Sequence, residues 1–522
     1  MDANIDLTGS FQLLNTSFVG LKKRDQNAFT SRSQMFYYTG NESSCINLFA
    51  SLRLDASSPS GIKDILWSYP YPPAVVTTMY PNLGKFASAN EATSHTVDEL
   101  NYSFVLTDSS GMREYGHCSG SVNGEVLVVL SSYPWCNFFY RLMYLFRSNG
   151  DEGRNIVKLL MNAKTPPSGA SFVIPSLDIT FRRPYDRLCS FIDSSPIRML
   201  TVFPNTDDLF SVLAALLLEK HIIVVGPNFS LVSNVIMSLQ ALISPFDWMH
   251  ILIPIVPSSL IDVLAAPPPY LVGILTSQLP LLKAVPIESC IVVHIGNDAV
   301  CTNVQYVNEE ADVLPHSGLF SAVRIGLNIL KLRHPMDQTV SDLCSLFMTY
   351  YASLIGEVVL QGSVAYVKKS ESQSRTTLRF FERLLTTQSF SILREEVSKS
   401  LQSAEYEWLD NEFIVAAIRS HPEIFPSQYN YLIEEEKKGG GYVATHGDCF
   451  GSKETFNSVT AAIHGFGGHK LGVGRLFARC LCRRWFDNEF DEVDQATFYP
   501  GKDEWISNSH RKRAESPTVL NE

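Results

Sequence analysis

The 522-residue chain lacks the features that mark several large protein classes. None of its ten cysteines forms a CxxC pair, which argues against a tetrahedral zinc site and against thioredoxin-like chemistry. No run of 18 or more apolar residues is present, so no membrane-spanning helix is expected. The first residues, MDANIDLTGSFQLLNTSF, lack the basic start and apolar run of a secretory signal. We therefore predict a cytoplasmic protein with reduced thiols and without a metal or cofactor.

The charge balance excludes a further class. The formal net charge is -11, whereas binding to nucleic-acid phosphates requires clustered Lys and Arg. No nucleic-acid partner is expected. Hydrophobic residues make up 45% of the chain and charged residues 18%, a composition typical of sizeable buried cores. The length predicts two to four structural units.

Motifs of covalent catalysis are also missing. The chain has no GxSxG, HExxH or GxxxxGK[ST] sequence and no set of kinase signatures. Gly226 follows an apolar segment, but the second and third glycines of a dinucleotide-binding loop are absent, which favours a plain strand-to-helix turn. His464 and His469 are too few ligands for a metal site, and a flexible linker accounts for them.

Two units with different patterns are predicted in the first 337 residues. Residues 44–165, the first lobe, should form a small α+β unit with strands that form an antiparallel meander. Residues 166–337, the second lobe, alternate strands and helices, which indicates a parallel α/β sheet with crossover helices. On size alone each lobe could fold independently. The expected strands are 45–54, 102–107, 126–130, 221–225, 249–256 and 291–295, and the expected helices are 135–146, 206–219 (capped by Thr206), 230–243 and 257–265, with 69–81 as loop or edge.

Helical patterns dominate the part that follows. Residues 338–432, the downstream helices, show their clearest helical spacing at 343–355 and 378–393. Residues 1–43 are polar and expected to be poorly ordered, and 433–522 form a Gly-rich, mostly disordered tail. Within the tail, RLFARCLCRRW (475–485) would be basic and amphipathic as a helix. It could contact an anionic membrane surface, with Cys480 and Cys482 as acylation sites, or dock on the body, or have no function.

Three blocks of sequence resemble the tripartite DENN-domain family. FVLTD (104–108), GMREYGHC (111–118) and LVVLSSYPW (127–135) resemble the upstream module. LLLE (216–219), PFDW (245–248), IP (253–254), LID (260–262) and APPPYLVG (266–273) resemble the central module. FFERLLTTQSF (380–390) resembles the downstream module. IPSLD (174–178) with RRP (182–184), and SQLPLL (277–282) with PIE (286–288), are most similar to the second DENN-domain-containing subgroup.

This resemblance implies a longin-like first lobe, an α/β second lobe and exchange activity. The expected function is that of a guanine nucleotide exchange factor, which promotes GDP release from a Rab-type GTPase in membrane trafficking, with recruitment to vesicle or endosomal membranes. No proton-transferring residue is needed, because the exchange factor acts by differential affinity for states of the GTPase. The alternatives are a non-catalytic Rab-binding scaffold and a GTPase-activating subunit. The last requires an arginine supplied in trans, for which Arg113 and Arg141 are available.

Six residues at family positions are candidates for GTPase contact. They are polar or aromatic and lie near the predicted ends of elements: Asp108, Tyr115, Glu219, Trp248, Asp262 and Tyr270. Each has a structural alternative, since the aromatic rings could belong to the core and the aspartates could cap turns or helices. The sequence departs from the family pattern at Lys220-His221, Gly226-Pro227 and Met249, which bears on the identity of the GTPase.

Overall fold

The computed structural model describes residues 44–55, 58, 61–87, 101–108, 111–120, 124–163, 165, 171–174, 179–182, 201–315, 323–325, 327, 337–361, 374–402, 408 and 411–437. The predictions for residues 1–43, for most of the Gly-rich tail, for His464 and His469, and for Cys480 and Cys482 lie outside these residues.

The first lobe contains a five-stranded antiparallel sheet with the strand order β2-β1-β5-β4-β3. The predicted meander is confirmed, but it has an additional middle strand, β4. The strands are β1 (Leu48–Leu54), β2 (Ile62–Tyr69), β3 (Asn101–Thr107), β4 (Arg113–Gly120) and β5 (Glu125–Ser131), and the helices are α1 (Pro73–Met79), α2 (Leu83–Ala87), α3 (Cys136–Ser148) and α4 (Gly150–Asn162). The prediction of a loop or edge at 69–81 was wrong, because Pro73 occupies the first turn of α1, where a missing N–H does no harm.

Both faces of this sheet are buried. Leu127 and Val129 of β5 pack with Phe49 against α3 and α4. Val126 and Val128, on the opposite face of the same strand, join the main core. Alternate residues of a strand point to opposite faces, so a strand covered on both sides must be apolar at every position. This explains the unbroken apolar run in β5.

The second lobe is built on a mixed five-stranded sheet with the order β12-β11-β8-β10-β9. The parallel sheet is confirmed: the three predicted strands are parallel to one another, and so is β10, which was not predicted. The edge strand β12, also not predicted, pairs antiparallel with β11. The elements, after a hairpin of β6 (Ser171–Ile174) and β7 (Ile179–Arg182), are α5 (Thr206–Leu217), β8 (Ile222–Gly226), α6 (Phe229–Leu242), β9 (Ile251–Ile253), a 3-10 helix (Ser258–Ala265), β10 (Tyr270–Leu275), a 3-10 turn (Thr276–Gln278), α7 (Leu279–Leu282), β11 (Cys290–Ile295) and β12 (Cys301–Val307). Asn205, rather than the predicted Thr206, caps α5 by accepting from Asp207 N.

The downstream part is helical throughout the residues that the structure describes between 337 and 437. Its helices are α8 (Asp337–Gln361), α9 (Arg375–Leu384), α10 (Gln388–Gln402), α11 (Glu412–Ser420) and α12 (Pro426–Lys437). The single helix predicted at 378–393 is in fact two, divided after Leu384. Helix α12 continues five residues beyond the predicted start of the tail at 433.

One hydrophobic core joins all three parts. It includes Phe104 of the first lobe, Leu213 and Val235 of the second, and Phe381 and Ile414 of the downstream helices. Separation of the lobes would expose apolar surface that they bury against each other, so the shared core favours joint folding over the size-based expectation that each lobe folds alone.

A polar cluster lies buried between the first-lobe sheet and α3. His117 is fully buried; its Nδ1 lies 3.0 Å from Ser103 Oγ, which is 2.8 Å from Tyr140 Oη. The imidazole Nε2 lies 3.3 Å from Tyr133 O, and the ring stacks on Phe139. Burial lowers the pKa of His117 to about 4, and the hydrogen bond to Tyr133 opposes this only in part. The folded protein therefore holds this histidine neutral.

Candidate partner-binding site at the lobe junction

The two lobes meet where α6 covers the edge strand β3. Ser103 N donates to Ser233 Oγ over 3.3 Å, and the rings of Tyr102 and Phe229 have centroids 5.6 Å apart. An edge strand presents unpaired N–H and C=O groups, so α6 protects this side of the sheet. At the end of the junction, Arg113 Nη2 donates to the carbonyl oxygen of His250 over 2.8 Å.

Glu219 joins the second lobe to the downstream helices. Its residue adopts a left-handed conformation, with φ 52°, directly after α5. Its carboxylate accepts from Gln388 N at 3.1 Å and from Ser389 N and Oγ, both at 2.8 Å. These are the first N–H groups of α10, which have no partner within the helix. A carboxylate there also interacts favourably with the helix dipole.

The same carboxylate reaches the lobe junction through His250. His250 Nε2 lies 3.1 Å from Glu219 Oε2, and both side chains are largely buried. Burial raises the pKa of Glu219, but the hydrogen bonds from His250, Ser389 and Gln388 outweigh burial and bring the pKa down to about 2. Since Arg113 holds the His250 carbonyl, the contacts of all three parts converge here. We call Arg113, Glu219, His250, Gln388 and Ser389 the junction cluster.

A second link to the downstream helices starts from the neighbouring residue. Lys220 is buried, with its Nζ 2.7 Å from Glu309 Oε2 and 2.6 Å from Asp312 Oδ2. Arg383 of α9 contacts the other oxygen of Asp312 at 2.8 Å. Glu219 and Lys220 thus fasten two consecutive downstream helices to the end of α5.

Two of the six predicted contact residues are exposed. Asp108 lies in the turn after β3, where its Oδ1 accepts from Met112 N at 2.9 Å, and the turn adjoins Arg113. Asp262 lies on the 3-10 helix, which packs on the face of the second sheet opposite α5 and α6. Asp108 thus lies in the turn that leads to Arg113 of the junction cluster, whereas Asp262 lies on a different layer of the fold.

The three aromatic candidates are core residues. Trp248 is fully buried, and its Nε1 donates to Ile251 O over 3.0 Å; Tyr115 and Tyr270 are each 1% exposed. The Trp248 ring packs edge-on against His250, 5.4 Å between centroids. Trp248 is therefore a buried packing partner of His250 in the junction cluster. Its exposed neighbour is Met249, at 38% exposure, where the chain departs from the family pattern.

A groove of about 700 Å³ opens in the first lobe beside the Asp108 turn. It is lined by apolar and aromatic residues together with a few polar groups; these include Asn47, Tyr71, Met79, Tyr80, Met112 and Glu114. Glu114 accepts from Asn47 Nδ2 at 2.7 Å and is hydrogen-bonded to Tyr80. Burial raises the pKa of Glu114, and these hydrogen bonds oppose the shift.

Sequence reasoning missed His250, Ser389 and the groove. Gln388 stood in a quoted family block, but nothing in that block indicated that its N–H faces Glu219. Within the described ranges, no group of three or more His, Cys, Asp or Glu residues could hold a metal ion. A search of the same residues found no helix long and apolar enough to cross a membrane.

Comparison with known proteins shows a similarity to DENN-domain proteins. The model of the DENN (AEX-3) domain matches residues 123–298. DENN domain-containing protein 2A of Mus musculus is 26% identical over 375 residues, 64% of this chain and 36% of that protein. Human DENN domain-containing protein 2C is 26% identical over 388 residues, 68% of this chain and 40% of that protein. Human DENN domain-containing protein 2D is 24% identical over 362 residues, 63% of this chain and 73% of that protein.

The chain thus spans well under half the length of the 2A and 2C relatives and most of the shorter 2D relative. The matched relatives carry names from the second DENN-domain-containing subgroup, which confirms the resemblance read from the sequence blocks. Residues 123–298 thus match the DENN (AEX-3) domain, and the chain is similar to DENN domain-containing proteins of the second subgroup.

Proposed function

We propose that the chain binds a Rab-type GTPase and accelerates its release of GDP, with a longin-like first lobe and the second lobe acting together. The match to the DENN domain and the similarity to DENN domain-containing proteins support this proposal, and one structural observation carries it furthest. The three parts that resemble the upstream, central and downstream modules converge on the junction cluster. They therefore form one body with a shared core, as a surface that grips a partner from two lobes requires.

The mechanism needs no covalent chemistry from the chain. An exchange factor binds the open, nucleotide-free form of the GTPase more tightly than the closed form, and so shifts the population toward release. Moving that balance from 1:99 to 99:1 requires a difference of about 5.5 kcal/mol in binding free energy. A few well-placed contacts supply most of the energy at protein interfaces.

The exposed end of the lobe junction is the surface we assign to the GTPase. It combines the Asp108 turn with Met249, a large apolar side chain in solvent beside the buried Trp248 and His250. Methionine is enriched at protein interfaces, so Met249 on this firmly packed base is the anchor that we assign. Of the two arginines available for stimulated hydrolysis, Arg113 is engaged by the His250 carbonyl, whereas Arg141 on α3 is the remaining candidate for that alternative.

Fluorescent-GDP release measured across a panel of Rab proteins tests the proposal. We expect faster release from at least one Rab and no effect on Ras or Arf. If no Rab responds, yet one binds the chain stably, the protein is a scaffold. If no Rab binds, the whole assignment of partner is wrong.

Replacing Met249 by Glu should lower the exchange rate about tenfold or more, because a charge would be buried at the assigned surface. The matched control is Leu281→Glu. Leu281 has a similar exposure, 43%, but follows the carboxyl end of β10, at the opposite end of the parallel strands from Met249. Equal losses in the two variants, with unchanged melting temperatures, would remove Met249 from the interface.

The tail enters this proposal only as a targeting element. RLFARCLCRRW, with Cys480 and Cys482, would recruit the chain to vesicle or endosomal membranes.

A further inference from the structure

The groove in the first lobe holds a carboxylate that lacks a cationic partner. Glu114 is bound by two neutral donors, Asn47 and Tyr80, and forms no ion pair within the described residues. Removing a carboxylate from water is unfavourable unless a positive group or further donors compensate for it. The exposed Asp108 lies on the same groove and adds a second negative charge; Arg113, the positive residue of the lining, donates to the His250 carbonyl. The groove therefore fits a basic side chain flanked by apolar groups.

The chain itself enters at this groove. Ser44, Ile46 and Asn47 line it, and they directly follow residues 1–43. That preceding sequence contains one basic triplet, Lys22-Lys23-Arg24, within SFVGLKKRDQNAF (17–29). Arg24 lies twenty positions before Ser44, and an extended chain of that length spans up to about 70 Å. The triplet can therefore reach any part of the groove.

We propose that the segment around Lys22-Lys23-Arg24 docks in this groove, with a basic side chain at Glu114, and competes with the partner GTPase. The apolar residues Phe18, Leu21 and Phe29 match the tyrosine and methionine side chains of the lining. The groove includes the Asp108 turn, which we also assign to the GTPase surface, so both cannot occupy it at once. The docking claim stands on the groove alone; the competition rests on the proposed exchange function.

Another triplet of the chain is a weaker occupant. Arg511-Lys512-Arg513 stands 74 positions beyond Lys437, the last residue described on that side. The effective concentration of a flexibly tethered group falls as roughly the -3/2 power of tether length. A tether of twenty residues that starts at the groove therefore gives a clear advantage to the N-terminal triplet.

Peptide binding tests the docking directly. The full chain carrying Lys22→Glu, Lys23→Glu and Arg24→Glu should bind a fluorescein-labelled 17–29 peptide in trans, because its own segment no longer competes. Adding Glu114→Gln should weaken that binding about tenfold or more. Met79→Lys, at an exposed position on the rim of the groove, should also weaken binding of the peptide. It replaces the Glu114 variant in the test if that variant misfolds. No binding, or binding indifferent to both groove changes, would overturn the proposal.

Exchange measurements on the full chain test the competition. Reversal of the Lys22-Lys23-Arg24 triplet should raise the rate of GDP release severalfold. Reversal of Arg511-Lys512-Arg513 makes the same change of charge and should leave the rate unaltered. An increase from the second triplet alone would transfer the role to the tail and contradict our assignment. If no GTPase responds at all, the exchange function fails, while the peptide assay still decides the docking.

Discussion

Replacing Glu219 with alanine is expected to lower the free energy of unfolding by about 3–5 kcal/mol, the range typical of breaking a buried charged contact. The carboxylate accepts from two backbone N–H groups and one hydroxyl of α10 and lies against His250. Its removal leaves these donors buried without an acceptor and detaches the start of α10. Urea unfolding at pH 7 measures the loss. The control is Glu395→Ala, on the same helix, which breaks only an exposed pair with Lys399 and should have little effect.

Varying the pH measures how much of the stabilisation by Glu219 depends on the negative charge of its carboxylate. Because its pKa is about 2 in the folded protein, against 4.5 ordinarily, its contribution is complete above pH 4.5 and is lost as the pH falls toward 2. At about 1.4 kcal/mol per pKa unit, the loss over that window is about 3 kcal/mol. Glu219→Gln should lose less stability than Glu219→Ala at pH 7 and should lack this acid-dependent component. An identical acid slope in Glu219→Gln and wild type would refute the assignment.

Mild acid should destabilise the protein through His117 by about 3 kcal/mol between pH 6.5 and pH 4. The folded pKa of about 4 lies below the ordinary 6.5, so the unfolded chain binds a proton in this window and the folded chain does not. Stability is therefore full above pH 6.5 and falls as the pH drops through the window. Urea midpoints at pH 7, 5.5 and 4.5 follow the change.

His117→Gln provides the matched comparison, since the amide keeps a donor and an acceptor near Ser103 and Tyr133. We expect lower stability at pH 7, because the stacking on Phe139 is lost, but a flatter dependence between pH 6.5 and 4.5. Most of the pH range in which His117 acts lies above the range in which Glu219 acts. The losses of stability due to the two residues can therefore be resolved in one pH titration. Parallel slopes for wild type and variant would show that another group is responsible.

Apolar strands such as β5 and β8 were predicted, whereas β2, β4, β10 and β12 were missed, and β4 was missed for a physical reason. β5 carries VLVVL, whereas β4 reads REYGHCSG, with two glycines and few β-formers. β4 is a strand because β3 and β5 both pair with it. Gly116 is required there, since a Cβ would stand 2.1 Å from Cζ of Phe104. That constraint comes from a neighbouring strand and leaves no local pattern.

The division between α9 and α10 has the same kind of origin. The segment 378–393 has continuous helical spacing, and no proline or glycine interrupts it. The new helix begins at Gln388, where two acceptors meet its first N–H groups. Thr387 Oγ1 is a local cap that accepts from Phe390 N, and Glu219, 169 positions away, accepts from Gln388 N. Family resemblance selected Glu219 as important, but only the folded chain shows that it binds α10 and His250. Likewise, Trp248 and Tyr270 matched family positions, and their burial could not be read from one sequence.

The cover that α6 places on β3 has a consequence during synthesis. Ser103 and its partner Ser233 are 130 positions apart in the chain. At about 5–20 residues per second, a ribosome needs roughly 7–26 s to make the intervening polypeptide. Throughout that interval the nascent first lobe presents an open sheet edge and an apolar face, the features that favour misassociation. We therefore expect the emerging chain to be most prone to misassociation before α6 has left the exit tunnel.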